Sequence, residues 1–104
     1  MAIERVALVS WKPATPQEAI DTALRSVLAL KNEVPGVLGI TAGRNFSKWA
    51  MGFTHAFVVR FMGRQAVDAY DRHPAHRQLV ATVFRPITEK MVVVDFDEED
   101  YPNG

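Results

Sequence analysis

Tyr70, His73 and His76 fall within the stretch YDRHPAHRQL (70–79), which holds two of the three histidines in the chain. A neutral imidazole accepts a proton near pH 7. A phenol, whose pKa is normally about 10, donates a hydrogen bond to an oxygen that gains charge. In an unbroken helix Tyr70 and His76 would lie about 240° apart around the axis and face different ways. Pro74 removes that constraint. The residue before a proline is biased toward extended angles, so His73 should close one helical segment, as an N-cap or a solvent-facing residue. Pro74 suits the first turn of the next segment. Tyr70 and His76 can then converge on one space. His76, Val80 and Val83, spaced i, i+4 and i+7, share a face directed inward. Burial and the start of a helix both disfavour the imidazolium, which places the His76 pKa below the usual value of about 6.5. On residue type alone the structural reading comes first, with Tyr70 a core aromatic and His76 a structural residue of the helix start.

The elements around this stretch follow from hydrophobic period. IERVALVSW (3–11), VLGITAG (37–43), FTHAFVVRF (53–61) and TEKMVVVDF (88–96) read as strands. A helix is expected over 15–34, with Thr15 as N-cap, Pro16 at the first helical position and Glu18 completing a capping box. Its apolar stripe is Ile20, Leu24, Val27 and Leu28. RQAVDAYDR and PAHRQLVATVF supply a second helix, broken at Pro74. The order β-α-β-β-α-β is that of an α+β, ferredoxin-like fold. One domain over 1–97 is expected, followed by an acidic, flexible tail over 98–104.

Twelve basic residues balance twelve acidic ones in 104 residues, and no basic stripe carries interleaved aromatics, so nucleic acid is not an expected partner. Cysteine is absent, which excludes disulfides and thiolate metal sites. No apolar run reaches the roughly 20 residues of a membrane span, and the first residues lack a signal peptide's order, so a cytoplasmic location is expected. Strands one, three and four carry apolar residues on both faces. Two helical layers cover only one face of a four-stranded sheet, and the economical cover for the other is a second copy related by a two-fold axis. A homodimer is the expected assembly. In the segment NFSKWAMG (45–52), Trp49 and Met51 are large apolar side chains in a loop, suited either to a lid over a pocket or, preferably, to packing against another subunit.

Taken together, VALVSWKP, EVPGVLGITAGRNFS, GFTHAFVVRF, AVDAYDRHPAHRQLV and the closing MVVVDFD resemble the stress-responsive A/B barrel (Dabb) family over essentially the full chain. That resemblance implies a dimeric α+β barrel. The stretch YDRHPAH is similar to the corresponding segment of olivetolic acid cyclase-type polyketide cyclases, which close a polyketide thioester by aldol condensation. What the resemblance implies is a general base at His76, a carbonyl-binding phenol at Tyr70 and a pocket histidine at His55. A pocket histidine of those cyclases is replaced here by Arg5, and the large aromatics of their first helix by Ala23, Leu24 and Val27, so the substrate differs.

His55 sits among Phe53, Phe57 and Phe61 on one strand face, either half-buried with a backbone partner or lining the pocket of His76. His55, Phe57, Leu24, Val27 and Val80 are the expected lining. Metal binding is not expected, because His73 and His76 straddle a helix break and no H-E-x-x-H spacing exists. Haem would need an axial ligand, for which only His76 is placed, and no cofactor is expected. Two functions follow. One is a cofactor-independent acid–base enzyme for a small polyketide-like or β-dicarbonyl substrate. The other is a noncatalytic, stress-responsive homodimer in which the same residues secure the helix break. Open volume beside His76 separates them, since a filled core there favours the second.

Overall fold

A computed structural model describes residues 1–102. Four antiparallel strands, β1 (Ile3–Trp11), β2 (Val37–Arg44), β3 (His55–Phe61) and β4 (Thr88–Asp97), form one sheet in the order β2-β3-β1-β4. Helix α1 (Gln17–Ala29) joins β1 to β2, and α2 (Arg64–Arg72) with α3 (Pro74–Leu79) joins β3 toward β4. This is the ferredoxin-like α+β fold. Residues directly opposite in an antiparallel pair share a face. The register therefore places Ile3, Arg5, Ala7 and Val9 of β1 beside Phe61, Val59, Phe57 and His55 of β3, and beside Asp97, Asp95, Val93 and Met91 of β4. The helices cover this face, and Ala7, Val9, Val59 and Phe61 are fully buried there.

Helix α1 is shorter than its sequence pattern suggested. It ends at Ala29, and a single 3-10 turn (Leu30–Asn32) follows. The capping box does not form. The Thr15 hydroxyl donates to the Lys12 carbonyl at 2.7 Å, while Pro16 occupies the cap position without a side-chain bond. The buried stripe is Ile20, Ala23, Val27 and Leu30, whereas Leu28 is exposed. Strand β3 begins at His55, because the Phe53 amide closes a turn on Ala50 and the Thr54 amide bonds the Val9 carbonyl.

Across the helix break the sequence reading and the structure agree. His73 is extended (φ −62°, ψ 134°) and its Nδ1 accepts from the Ala75 amide at 3.1 Å. Beyond α3 the chain widens to a π-turn (Val80–Phe84), with the Arg85 amide bonding the Val80 carbonyl, and buries Phe84.

The opposite sheet face carries Val6, Leu8, Val58, Val92, Val94 and Phe96. Of these, Val92, Val94 and Phe96 are 44%, 52% and 46% exposed, an apolar surface on the open side of an edge strand. In the β2–β3 loop, Phe46, Trp49 and Met51 are also exposed. Just beyond β4 the Glu98 amide bonds the Ala2 carbonyl and its carboxylate pairs with Arg60 at 2.7 Å. Asn103 and Gly104, the end of the expected tail, lie outside the described residues.

Gly36, between α1 and β2, has φ +89°, and a Cβ added there would stand 2.8 Å from the Ala66 Cβ of α2. Left-handed backbone and a backbone-anchored clash act together. Gly36→Ala is expected to destabilise the fold by about 1–3 kcal/mol. Gly39→Ala, with nothing within 4 Å of its new methyl, should stay within about 0.5 kcal/mol. Thermal unfolding of the two variants checks the contrast.

Candidate active site

Tyr70 ends the buried face of α2 and is 2% exposed. Its ring meets Phe61 edge-on at 5.1 Å, an arrangement that adds about 0.5–1.5 kcal/mol to burial alone. Six residues later, across the His73–Pro74 break, His76 stands with its ring centroid 4.3 Å from that of Tyr70. Both line a cavity of about 200 Å³ between the sheet and the helices. Its walls include Val27 of α1, Ala7 and Phe57 of the sheet, Val80 and Phe84 of the π-turn, and Met91 and Val93 at the edge strand. These walls are mostly apolar.

Arg5 reaches this cavity from β1. Its Nε and Nη2 donate to the Asp95 carboxylate at 2.7 and 3.1 Å, and its Nη1 and Nη2 donate to Asp71 at 2.6 and 3.0 Å. Four guanidinium N–H groups are thereby committed, and one cation joins β1, β4 and the end of α2. The guanidinium carbon also lies 5.9 Å from the Tyr70 ring centroid and 5.7 Å from that of Phe61. The carboxylates hold the Arg5 pKa above its usual range. With one cation and two carboxylates, the cluster carries formal charge −1.

Burial pushes the Tyr70 phenol up to about 12, more strongly than the nearby Arg5 lowers it. It therefore remains a protonated donor at neutral pH. Burial also lowers the His76 pKa, with smaller contributions from Arg5 and His73, while the Asp71 backbone carbonyl and carboxylate pull the other way. Nδ1 of His76 is buried and has no hydrogen-bond partner among the described residues.

Of the sequence-selected lining, Phe57, Val27 and Val80 join Tyr70 and His76 at this cavity. His55 and Leu24 do not. They line a separate depression between α1 and β2. The reason is lateral position: His55 begins β3 beside Trp11 and lies beyond a wall in which the Trp11, Phe84 and Phe57 rings contact in series. The sequence reading put Arg5 in the place of a pocket histidine but did not join it to Asp71 and Asp95, which the structure brings to it. A signal existed, because Arg5 is a charge at an inward position of an otherwise apolar strand face. No loop residue from 45–52 is among the residues that line this cavity.

Residues 3–98 match the profile of the Stress responsive A/B Barrel Domain family, Dabb. A stress-response A/B barrel domain-containing protein, HS1, of Arabidopsis thaliana is 29% identical over 96 residues, covering 90% of this chain and 87% of that protein. Among solved structures, a hydroxynitrile lyase from Passiflora edulis superposes with a TM-score of 0.85 at 24% identity, covering 97% of each chain. A dimeric ferredoxin-like protein of unknown function from Thermobifida fusca superposes with a TM-score of 0.79 at 24% identity, over 92% of this chain and 90% of that one. At these identities the two structures speak for the fold alone.

The lowered His76 pKa has a signed consequence. Above about pH 6.5 the ring is neutral in both folded and unfolded chains and contributes no pH dependence. As pH falls below 6.5 toward the folded value, the unfolded chain binds the proton first, so stability decreases on acidification. His55, also lowered by burial, acts in the same direction. Ring titration by NMR should give a His76 midpoint below 6.5; a midpoint above it would contradict this electrostatic assignment.

Proposed function

The chain belongs to the stress-responsive A/B barrel (Dabb) family, and from that premise we propose that its cavity performs cofactor-independent acid–base chemistry on a small polyketide-like or β-dicarbonyl substrate. The observation that carries this reading is the 4.3 Å approach of Tyr70 and His76 at the wall of an open cavity. A solidly packed core at the same place would have favoured a purely structural role.

His76 is the base. Its Nδ1 is buried and has no partner among the described residues, so Nε2 is the ring nitrogen left to meet a substrate, in the tautomer that carries the proton on Nδ1. Nε2 takes a proton from the carbon between two carbonyls, and the C–H electron pair moves into an enolate. Tyr70, kept protonated by burial, donates a hydrogen bond to the enolate oxygen. In a polyketide-like substrate the enolate carbon attacks a further carbonyl, several bonds along the same chain, which closes the ring, and the imidazolium returns its proton to the resulting alkoxide. The imidazolium is transiently supported by the Asp71 carbonyl and by the net negative Arg5 cluster. General-base catalysis of this kind contributes typically 10²–10⁴-fold, and positioning by the apolar walls supplies more. A cavity of about 200 Å³ suits a short substrate, because pockets for drug-sized ligands run to about 300–1,000 Å³.

The same reading includes assembly as a homodimer. The exposed Val92, Val94 and Phe96 on the open sheet face are what a second sheet would cover, and the T. fusca protein of this fold is described as dimeric. The exposed Trp49 then packs against the second copy.

A thermal-shift screen against resorcylic acids and short β-polyketide mimics tests the site. A ligand present at 100 times its dissociation constant stabilises the fold by about 2.7 kcal/mol. The shift should vanish in His76→Ala and shrink in Tyr70→Phe. No shift in the wild type, together with a destabilised His76→Ala, would make His76 a core residue. Light scattering at micromolar concentration should give twice the chain mass, with Trp49→Ser weakening association; a monomeric wild type would refute the assembly.

A further inference from the structure

His55 is 8% exposed and takes no part in the Tyr70–His76 cavity. Its Nδ1 lies 2.9 Å from the indole Nε1 of Trp11 and 2.9 Å from the Thr54 hydroxyl. An indole N–H can only donate, so Nδ1 is an acceptor without a proton, and the neutral ring carries its proton on Nε2. The Trp11 bond thus fixes the tautomer by chemistry. Among the described residues no acceptor meets that Nε2–H, and the nitrogen is not sealed from solvent. Instead the ring forms part of a depression of about 170 Å³ between α1 and β2.

Two guanidinium groups stand at the same depression. Arg44 is the register partner of His55 on β2 and shares its face, and Arg25 comes from α1. Neither makes an ion pair within 4 Å among the described residues. The acidic group there, Asp21, accepts from Gln17 at 2.9 Å, and the local charge remains +1. The remaining lining is apolar, with Leu24, Leu28 and Ala42. A fixed N–H donor, two unpaired cations and an apolar floor form one arrangement, short of one acceptor.

We propose that this depression is a second ligand site, which binds the carboxylate of a small organic acid through His55 Nε2–H and Arg44, closes Arg25 over it, and seats the acid's apolar body on Leu24 and Leu28. A planar carboxylate matches an arginine fork, and charge-assisted bonds of this type are the stronger class. The site is independent of the acid–base reading, since the Trp11–Phe84–Phe57 wall separates it from His76.

The test is a titration of the intact, ¹⁵N-labelled protein with benzoate and, separately, with inorganic phosphate. The Trp11 indole and His55 ring signals report on the site, and the His76 ring reports on the other cavity. Benzoate should move the Trp11 and His55 signals saturably and leave His76 still. Arg44→Gln should weaken that binding about tenfold or more, the expected loss of a charged hydrogen-bonding partner, while its thermal unfolding stays like wild type. No saturable shift at either reporter, shifts centred on His76, or unchanged affinity in Arg44→Gln would each overturn the proposal. Phosphate binding without benzoate binding would overturn it as well, because the apolar floor would then have no role.

Discussion

One guanidinium ties the working parts of this molecule together. Arg5 projects from the central strand, takes the Asp95 carboxylate from β4 and the Asp71 carboxylate from the end of α2, and so fixes where α2 stops relative to the sheet. Tyr70 precedes Asp71 directly and His73 follows two residues later. The position of the phenol, and the place from which the chain enters the break at Pro74, are consequently tied to one ion-pair network. The side chain of Arg5 is only 12% exposed, and its two partners are 44% and 38% exposed. The network sits at the boundary between core and water, where a bidentate arginine is less costly to bury than a lone charge.

The break at Pro74 then completes the site. Because His73 is extended and caps α3 with its own ring, the chain turns without leaving the Ala75 amide unpaired, and His76 swings back over Tyr70. Burial acts in opposite senses on the two groups with one result: it raises the phenol and lowers the imidazole, and both become neutral at pH 7. A neutral donor beside a neutral acceptor is the resting state that proton transfer from a weak carbon acid requires.

Much of this was legible in the sequence. The strand periods, the proline break and the amphiphilic second helix depend on neighbours a few residues away, and those residues are adjacent in the string. The capping of α1 differs from the sequence reading by one residue: Pro16, whose side chain has no acceptor, occupies the cap position, and Thr15 stands outside it with its hydroxyl donating to the Lys12 carbonyl. The Arg5 network was invisible for a different reason. Its partners lie 66 and 90 residues away, and only the strand register shows that Arg5 stands opposite Asp95. His55 illustrates the same limit. Alternation put it on one strand face with Phe57 and Phe61, yet nothing local reveals on which side of the Trp11–Phe84–Phe57 wall it falls.

The central claim is that His76 acts as a base on carbon in the cavity it shares with Tyr70. The direct measurement is exchange of the activated C–H proton of a short β-keto thioester in D₂O, followed by proton NMR with wild type, His76→Ala and Tyr70→Phe. The account predicts acceleration over buffer by wild type, a loss of rate on acidification whose midpoint lies below the usual histidine value of about 6.5 as the imidazole protonates, and abolition in a folded His76→Ala. Exchange by a well-folded wild type at the buffer rate, or at the same rate as His76→Ala, would contradict it.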